Sequence, residues 1–274
     1  MTADLIAQLK SCRSYDLEQP RFAGMPIHES HRPGYFYALH RRHGDSFAVN
    51  QPRSGASGVL TMMEHSGTHI DALCHQACGM ELYGGKHPSS VETPAGFTEL
   101  GVETVAPLVT RGVLIDVAGH HGVARLPELY SITAEDLEAA LVHRPEKGDV
   151  LLVRTGFAQI WNDEATYLRA AGMHKSASIW AADHSVVAVG ADNMAWDVPG
   201  ERDPETGSTL FGHLYLLPQK GIYIIENLNL EALAQDRQTE FAFVCLPLKL
   251  RGATGSPVRP LALVGAAGVG SPRA

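Results

Sequence analysis

The chain predicts an α/β fold, a single compact domain around a mixed β-sheet with flanking helices. Three observations carry that expectation. Short apolar runs recur along the 274 residues at a length suited to buried strands. Helix-like segments separate some of these runs, while others follow one another with no helix between them, which calls for antiparallel as well as parallel pairing. With 45% hydrophobic and 19% charged residues, the chain can bury one large core, and residues 1–274 are read as one domain.

From the N-terminus, residues 1–20 mix Asp4, Lys10, Arg13, Asp16 and Glu18 with apolar positions, unlike the charged-then-apolar order of a secretory signal. The run His31-Arg32-Pro33-Gly34 carries a Pro-Gly turn signal in a segment whose secondary structure is otherwise open. Residues 59–63, 113–117, 150–153, 186–189, 222–225, 241–246 and 261–264 read as buried strands, being short and mostly rich in branched side chains. Thr133-Ala134-Glu135-Asp136 resembles a capping box and opens a helix with Leu137, Ala140 and Leu141 on one face. Residues 164–171 and 209–217 are further helix candidates, and the Gly-, Pro- and acid-rich stretch 199–209 reads as a surface loop.

The net charge of -8, from 30 acids against 22 Lys and Arg, comes without a basic stripe and argues against nucleic acid as a partner. No stretch reaches the length of a membrane span. Four cysteines, Cys12, Cys74, Cys78 and Cys245, are too scattered for a disulfide framework, so a reduced, cytoplasmic protein with a small-molecule substrate is expected. There is no Gly-x-Ser-x-Gly elbow, P-loop or dinucleotide fingerprint.

The chemistry concentrates in His65-Ser66-Gly67-Thr68-His69-Ile70-Asp71-Ala72-Leu73-Cys74-His75. Three imidazoles and a carboxylate separated by small residues suit metal ligation. His65, His69, Asp71 and His75 all occupy odd positions, so an extended chain directs them to one side. Gly67 argues against a continuous helix, and the expectation is an extended or irregular turn to Asp71 with a helix starting near Ala72. Further along, His213 and Glu226 each have two readings, as ligands or as a satisfied helix-face histidine and a solvated strand end. Cys74 and Cys78 read as small thiols, with a zinc site or a reactive pair as the alternative. His120-His121 and His40 to His43 read as surface or substrate-channel residues, and Arg154 and Arg259 either anchor an anionic substrate or pair with acids. Ser66 and Thr68 read as turn residues or as partners of the ligands.

The eleven-residue run is similar to the His-x-Gly-Thr-His-x-Asp-Ala-Pro-x-His signature of the cyclase family, which includes bacterial kynurenine formamidases, isatin hydrolases and a trans-dienelactone hydrolase. Further matches follow in order: 148–156, 190–193, His213 with Leu216-Leu217, Glu226-Asn227-Leu228, 246–250 and 255–259. The resemblance implies a compact α/β domain around a mixed sheet, assembled as a homodimer. It implies divalent metal held by His65, His69, Asp71, His213 and Glu226, as two zinc ions or a single manganese. His75 matches the catalytic histidine, the general acid and base. Two departures stand out: Leu73 replaces the signature's Pro, and Met25-Pro26-Ile27-His28-Glu29 lacks the Trp that stacks on substrate in the formamidases, which argues against N-formylkynurenine as substrate.

These residues predict a metal-dependent hydrolase of an amide or lactone. The metal brings a bound water to a pKa of about 7 and polarises the carbonyl, and His75 relays a proton to the leaving atom. A lyase or cyclase acting through an enolate would use similar ligands, and a non-catalytic metal-binding relative is the third reading. Specificity is expected from the N-terminal 1–50 segment, chiefly residues 21–47, and from aromatics such as Tyr35, Phe36, Tyr37, Trp180 and Trp196, which line the pocket or fill core.

Overall fold

The computed structural model describes residues 2–47 and 52–265. Positions 1, 48–51 and 266–274, which the single-domain expectation includes, lie outside the described residues. Nine strands form one sheet: β1 (Arg13–Asp16), β2 (His69–Asp71), β3 (Leu108–Asp116), β4 (Val150–Arg154), β5 (Ala188–Ala191), β6 (Tyr223–Glu226), β7 (Glu240–Cys245), β8 (Gly255–Pro257) and β9 (Leu261–Val264). In space they run β1-β9-β7-β3-β4-β5-β6-β2-β8. The four strands β3 to β6 pair in parallel, and every other pairing within this sheet is antiparallel. The sheet is therefore mixed, as the sequence predicts.

Successive strand side chains alternate between faces, and here both faces are covered. Leu151, Val153, Val189, Ala191 and Ile224 join one core, while Val150, Leu152, Ala188 and Ile225 join the other. Burial on both sides makes the parallel strands read as nearly continuous apolar runs. The first core is closed by Leu137 and Ala140 from the helix Ala134–Ala140 and by Ala177, Trp180 and Ala181 from the helix Lys175–Asp183. The capping box forms as expected: the Thr133 hydroxyl accepts the Asp136 amide, and the Asp136 carboxylate accepts the Thr133 amide at 2.9 Å. Residues 199–209 form an irregular loop apart from the isolated bridge between Arg202 and Thr209.

Several expectations are corrected. Residues 59–63 do not form a buried strand; Ser57–Met62 pairs with Tyr35–Arg41 in a separate two-stranded hairpin, with Val59 47% and Leu60 50% exposed. The apolar composition fits a strand, but the hairpin lies outside the sheet and receives no cover from it. No helix starts at Ala72. Ala72, Leu73 and Cys74 are buried in succession, leaving no helical face, and the segment is tied to the neighbouring chain by the Ala72 amide, which donates to the Thr254 carbonyl at 2.8 Å. The helix predicted over 164–171 ends at Tyr167, because Ala170 and Ala171 descend into the core. The 209–217 helix is confined to Phe211–Tyr215 and continues as the wider π turn Leu216–Lys220. No helix among the described residues is long and apolar enough to cross a membrane.

Candidate metal centre

The site lies where the parallel block gives way to antiparallel pairing. In the β6–β2 register, Glu226 stands opposite His69 and Ile224 opposite Asp71, so the period-two alternation puts His69, Asp71 and Glu226 on one face. Ile70 and Ile225 point the other way into the second core. The side chains at 69 and 71 are thus fixed by strand geometry, whereas His65 and His75 come from the turns before and after β2. His213 arrives from the helix Phe211–Tyr215.

The turn carrying His65 is pinned from several sides. Gly67 has φ +61°, and a Cβ there would come within 2.5 Å of the Arg21 guanidinium. Arg21 donates to the Ser66 and Thr68 carbonyls from beneath that glycine. The Thr68 hydroxyl donates to the Asn227 carbonyl at 2.6 Å and accepts the Gln19 amide at 2.9 Å. Asn227 returns its side-chain amide to the Gly67 carbonyl at 3.0 Å. Thr68 is therefore a support for the ligand turn, while Ser66 bonds only within it, to the Met63 carbonyl.

Each of three imidazoles has one nitrogen tied to an outer group and the other directed inward. The His69 Nδ1–H donates to the Gly67 carbonyl at 2.8 Å, and its Nε2 lies 3.5 Å from both an Asp71 and a Glu226 oxygen. His213 Nδ1 donates to Asp197 at 2.8 Å, and its Nε2 is 3.1 Å from Glu226 and 3.4 Å from Asp71. His65 Nε2 meets the Thr254 hydroxyl at 2.8 Å, which itself donates to Glu64 at 2.5 Å. That relay puts the His65 proton on Nε2 and leaves Nδ1 facing Asp71 Oδ1 at 2.8 Å. Two acceptors at that separation need a proton or a cation between them.

The charge balance agrees. Burial disfavours a charged imidazole at His213, yet Asp197, Asp71 and Glu226 overcome it and lift its pKa well above the ordinary value. At His65, burial is likewise outweighed by Asp71, and the net shift is upward. Burial would raise Asp71, but His75, His213 and His65 hold it well below the usual carboxylate range. His75 goes the other way: burial pushes it down to about 3. One oxygen of the fully buried Asp71, Oδ2, makes no hydrogen bond. A buried carboxylate oxygen without a donor, among imidazole nitrogens aimed at it, is the donor set a divalent cation completes. Two triads meet there, His65–Asp71–His75 and His69–Asp71–Glu226, each with its ligand atoms within 4.8 Å of one another.

The cavity above these groups measures about 110 Å³ and is lined by all six expected residues, His65, His69, Asp71, His75, His213 and Glu226. His28, Ser30 and His31 from the N-terminal segment form one wall, and Met194, Ala195 and Leu210 form another. His75 stacks on His65 with ring centroids 3.9 Å apart. None of the five aromatics expected as possible lining residues borders the cavity; Trp196 and Trp180 belong to the core. Arg154 and Arg259 pair with acids, Arg154 with Asp116 and Glu231, Arg259 with Asp16. Cys74 is a buried free thiol whose pKa burial pushes up to about 12, and Cys78 is free as well. Sequence reasoning missed Asp197, Thr254, Glu64 and Arg21 as supports of the site, since no motif marks them.

The sequence profile of the Cyclase family matches residues 15–198. Kynurenine formamidase of Bacillus cereus is 26% identical over 218 residues, which cover 78% of this chain and 85% of that protein. A crystal structure of a novel cyclase superposes with a TM-score of 0.83 at 30% identity, spanning 95% of this chain and 89% of the other. Isatin hydrolase A from Ralstonia solanacearum shares the fold with a TM-score of 0.70 at 22% identity, over 96% of this chain and 97% of that one. With well over half its length matched by the profile, the chain belongs to the Cyclase family.

Proposed function

We propose that this protein is a metal-dependent hydrolase that cleaves a carbon–nitrogen amide or lactam bond, or the ester bond of a lactone, in a small molecule, with His65, His69, Asp71, His213 and Glu226 holding one or two divalent cations and His75 moving the proton. The observation that carries this reading is the donor set itself. Three imidazoles present inward nitrogens to two buried carboxylates, and Asp71 Oδ2 lacks any hydrogen bond. Kynurenine formamidase, by name an amide hydrolase, is among the relatives and supports the same bond class.

A divalent cation bound there supplies Lewis acidity, bringing a water's pKa to about 7 and polarising the scissile carbonyl. The chain's own groups do the rest. Burial of the five ligands keeps bulk water away from the reacting atoms. His75, beside the cluster and within the cavity, takes a proton from the attacking water and delivers it to the departing nitrogen or oxygen. His28, Ser30 and His31 bring the N-terminal segment into the pocket wall, which supports a part for residues 1–50 in substrate binding. Nitrogen and oxygen donors suit zinc or manganese alike. Free thiols at all four cysteines suit a reduced, cytoplasmic setting, and assembly as a homo-oligomer completes the proposal.

The test is metal analysis of the purified protein, then turnover of formamides, isatin-like lactams and unsaturated lactones with zinc and with manganese in ¹⁸O-labelled water. Hydrolysis places one labelled oxygen in the product; a lyase places none. His75→Ala should lower kcat by about 10²- to 10⁴-fold while retaining the metal. Full activity in that variant removes His75 from the mechanism, and loss of metal reassigns it as a ligand.

A further inference from the structure

We infer that His31 is a substrate-binding residue, and that it selects compact amides or cyclic imides carrying a second carbonyl or carboxylate oxygen a few atoms from the scissile one. The inference rests on the hydrolase reading for the scissile bond and on independent geometry for the rest.

Among the described residues, every polar side chain lining the cavity takes part in a hydrogen bond except His31. Ser30 bonds His28 at 2.7 Å, Gln76 bonds His75 at 3.3 Å, and Asn227 is held by the Gly67 carbonyl and the Tyr167 hydroxyl. The His31 ring instead makes only ring contacts, with centroids 4.9 Å from His65 and 6.2 Å from His75. It belongs to neither metal triad. An imidazole that is half-buried yet satisfied by nothing in the protein has its hydrogen-bonding capacity directed to what enters the cavity.

Its position is also fixed. His31 closes the short 3₁₀ turn Glu29–His31, which His28 caps by accepting the Ser30 amide. Just before it, Met25 and Ile27 are buried, and just after it Arg32 pairs with Glu164 at 2.8 Å. A ring held on such a support reads substrate geometry and does not follow it. Met194, Ala195 and Leu210 add apolar side chains to the lining, and His31 is the lining side chain left to meet a polar substituent on the substrate. At about 110 Å³, the cavity falls below the roughly 300–1,000 Å³ typical of drug-sized ligands. A cavity of this size suits a substrate whose two polar groups sit close together.

The experiment measures binding of two probes to the zinc-loaded full chain by calorimetry. Succinamate is the ring-opened product of succinimide; butyrate has the same chain length but lacks the second polar end. The wild type should bind succinamate about tenfold more tightly, the worth of one good hydrogen bond. His31→Phe should abolish that preference with butyrate affinity and zinc content unchanged, and His31→Gln should retain part of it. A wild type that does not distinguish the probes, or a preference within twofold of wild type in His31→Phe, overturns the inference; His31→Gln carries the same decision if the Phe variant fails to fold. Succinimide and the wider panel are assayed for turnover alongside. His31-dependent binding without hydrolysis of any member sinks the hydrolase reading and leaves the role of His31 standing.

Discussion

Replacing Thr254 by Val tests whether the Glu64–Thr254–His65 relay prepares the centre for metal. The substitution keeps the shape of the side chain and removes the hydroxyl that His65 Nε2 meets at 2.8 Å. Without metal the loss is tolerable, because His65 can carry its proton on Nδ1 and donate it to Asp71 at 2.8 Å. Metal binding needs the Nδ1 lone pair, which forces the proton to Nε2, where the variant leaves only the Glu64 carboxylate at 3.8 Å, beyond hydrogen-bond distance. A buried donor left unsatisfied costs about 1–3 kcal/mol, so affinity should fall by about 5- to 150-fold, in line with the cost of removing outer partners of metal ligands. Competition titration against a fluorescent zinc chelator gives the affinity, and thermal melting in EDTA gives the stability without metal. Thr254→Ser should restore tight binding. Zinc affinity within twofold of wild type in Thr254→Val would refute the relay, as would a loss that Ser does not rescue.

Asp197→Asn removes the charge that orients His213, whose Nδ1 lies 2.8 Å from the carboxylate; chelator competition should show zinc affinity reduced by about 10- to 100-fold. Gly255→Ala should weaken both metal binding and the fold, because the new Cβ would fall 2.7 Å from His65 Cε1 and 2.9 Å from the Ile70 carbonyl. Urea unfolding should register a cost of about 1–3 kcal/mol for such overpacking. Asp136 gives a pH-dependent case: burial would raise its pKa, but hydrogen bonds from Thr133 and Tyr130 hold it below 3.8. A depressed folded-state pKa means the stabilisation is complete above about pH 4 and disappears as pH falls through the folded value. The stability gap between wild type and Asp136→Asn, about 1 kcal/mol near neutrality by capping, should therefore shrink below pH 4, and a gap constant down to pH 2.5 would contradict the assignment.

How much of this was legible depended on the range of the interactions. The runs at 150–153 and 222–225 could be read because both sheet faces are buried and the strands carry apolar residues without interruption. The hairpin strand at 57–62 has the same composition but lies off the sheet, and composition does not encode what will cover a strand. His65, His69, Asp71 and His75 stood out because one short segment delivers all four to the cavity. His213 and Glu226 were ambiguous as isolated residues, and only the family resemblance tied them to that segment. Asp197, Thr254 and Glu64 were invisible: Thr254 meets His65 across 189 positions, and no period or motif links such a pair. The helix expected at Ala72 is absent because Ala72, Leu73 and Cys74 are buried in succession, which leaves no solvent-facing side for a surface helix.

The location of the centre follows from the change in strand direction. A parallel strand pair needs a long crossover, whereas the antiparallel β6–β2–β8 group brings three separate segments into register at His69, Glu226 and Pro257. There the chain can hold charged side chains on the same face as the first core, because adjacent turns supply acceptors and donors for each of them. Asn227 shows how: its φ of +56° ends β6 immediately after Glu226, and its amide then clamps Gly67 while its carbonyl receives Thr68. The same bend that places one carboxylate thus fixes the turn that leads from His65 into β2 at His69. The proposed ligands are held by the fold through groups outside the proposed set, which is what lets a buried cluster of charges stay ordered and suited to a cation.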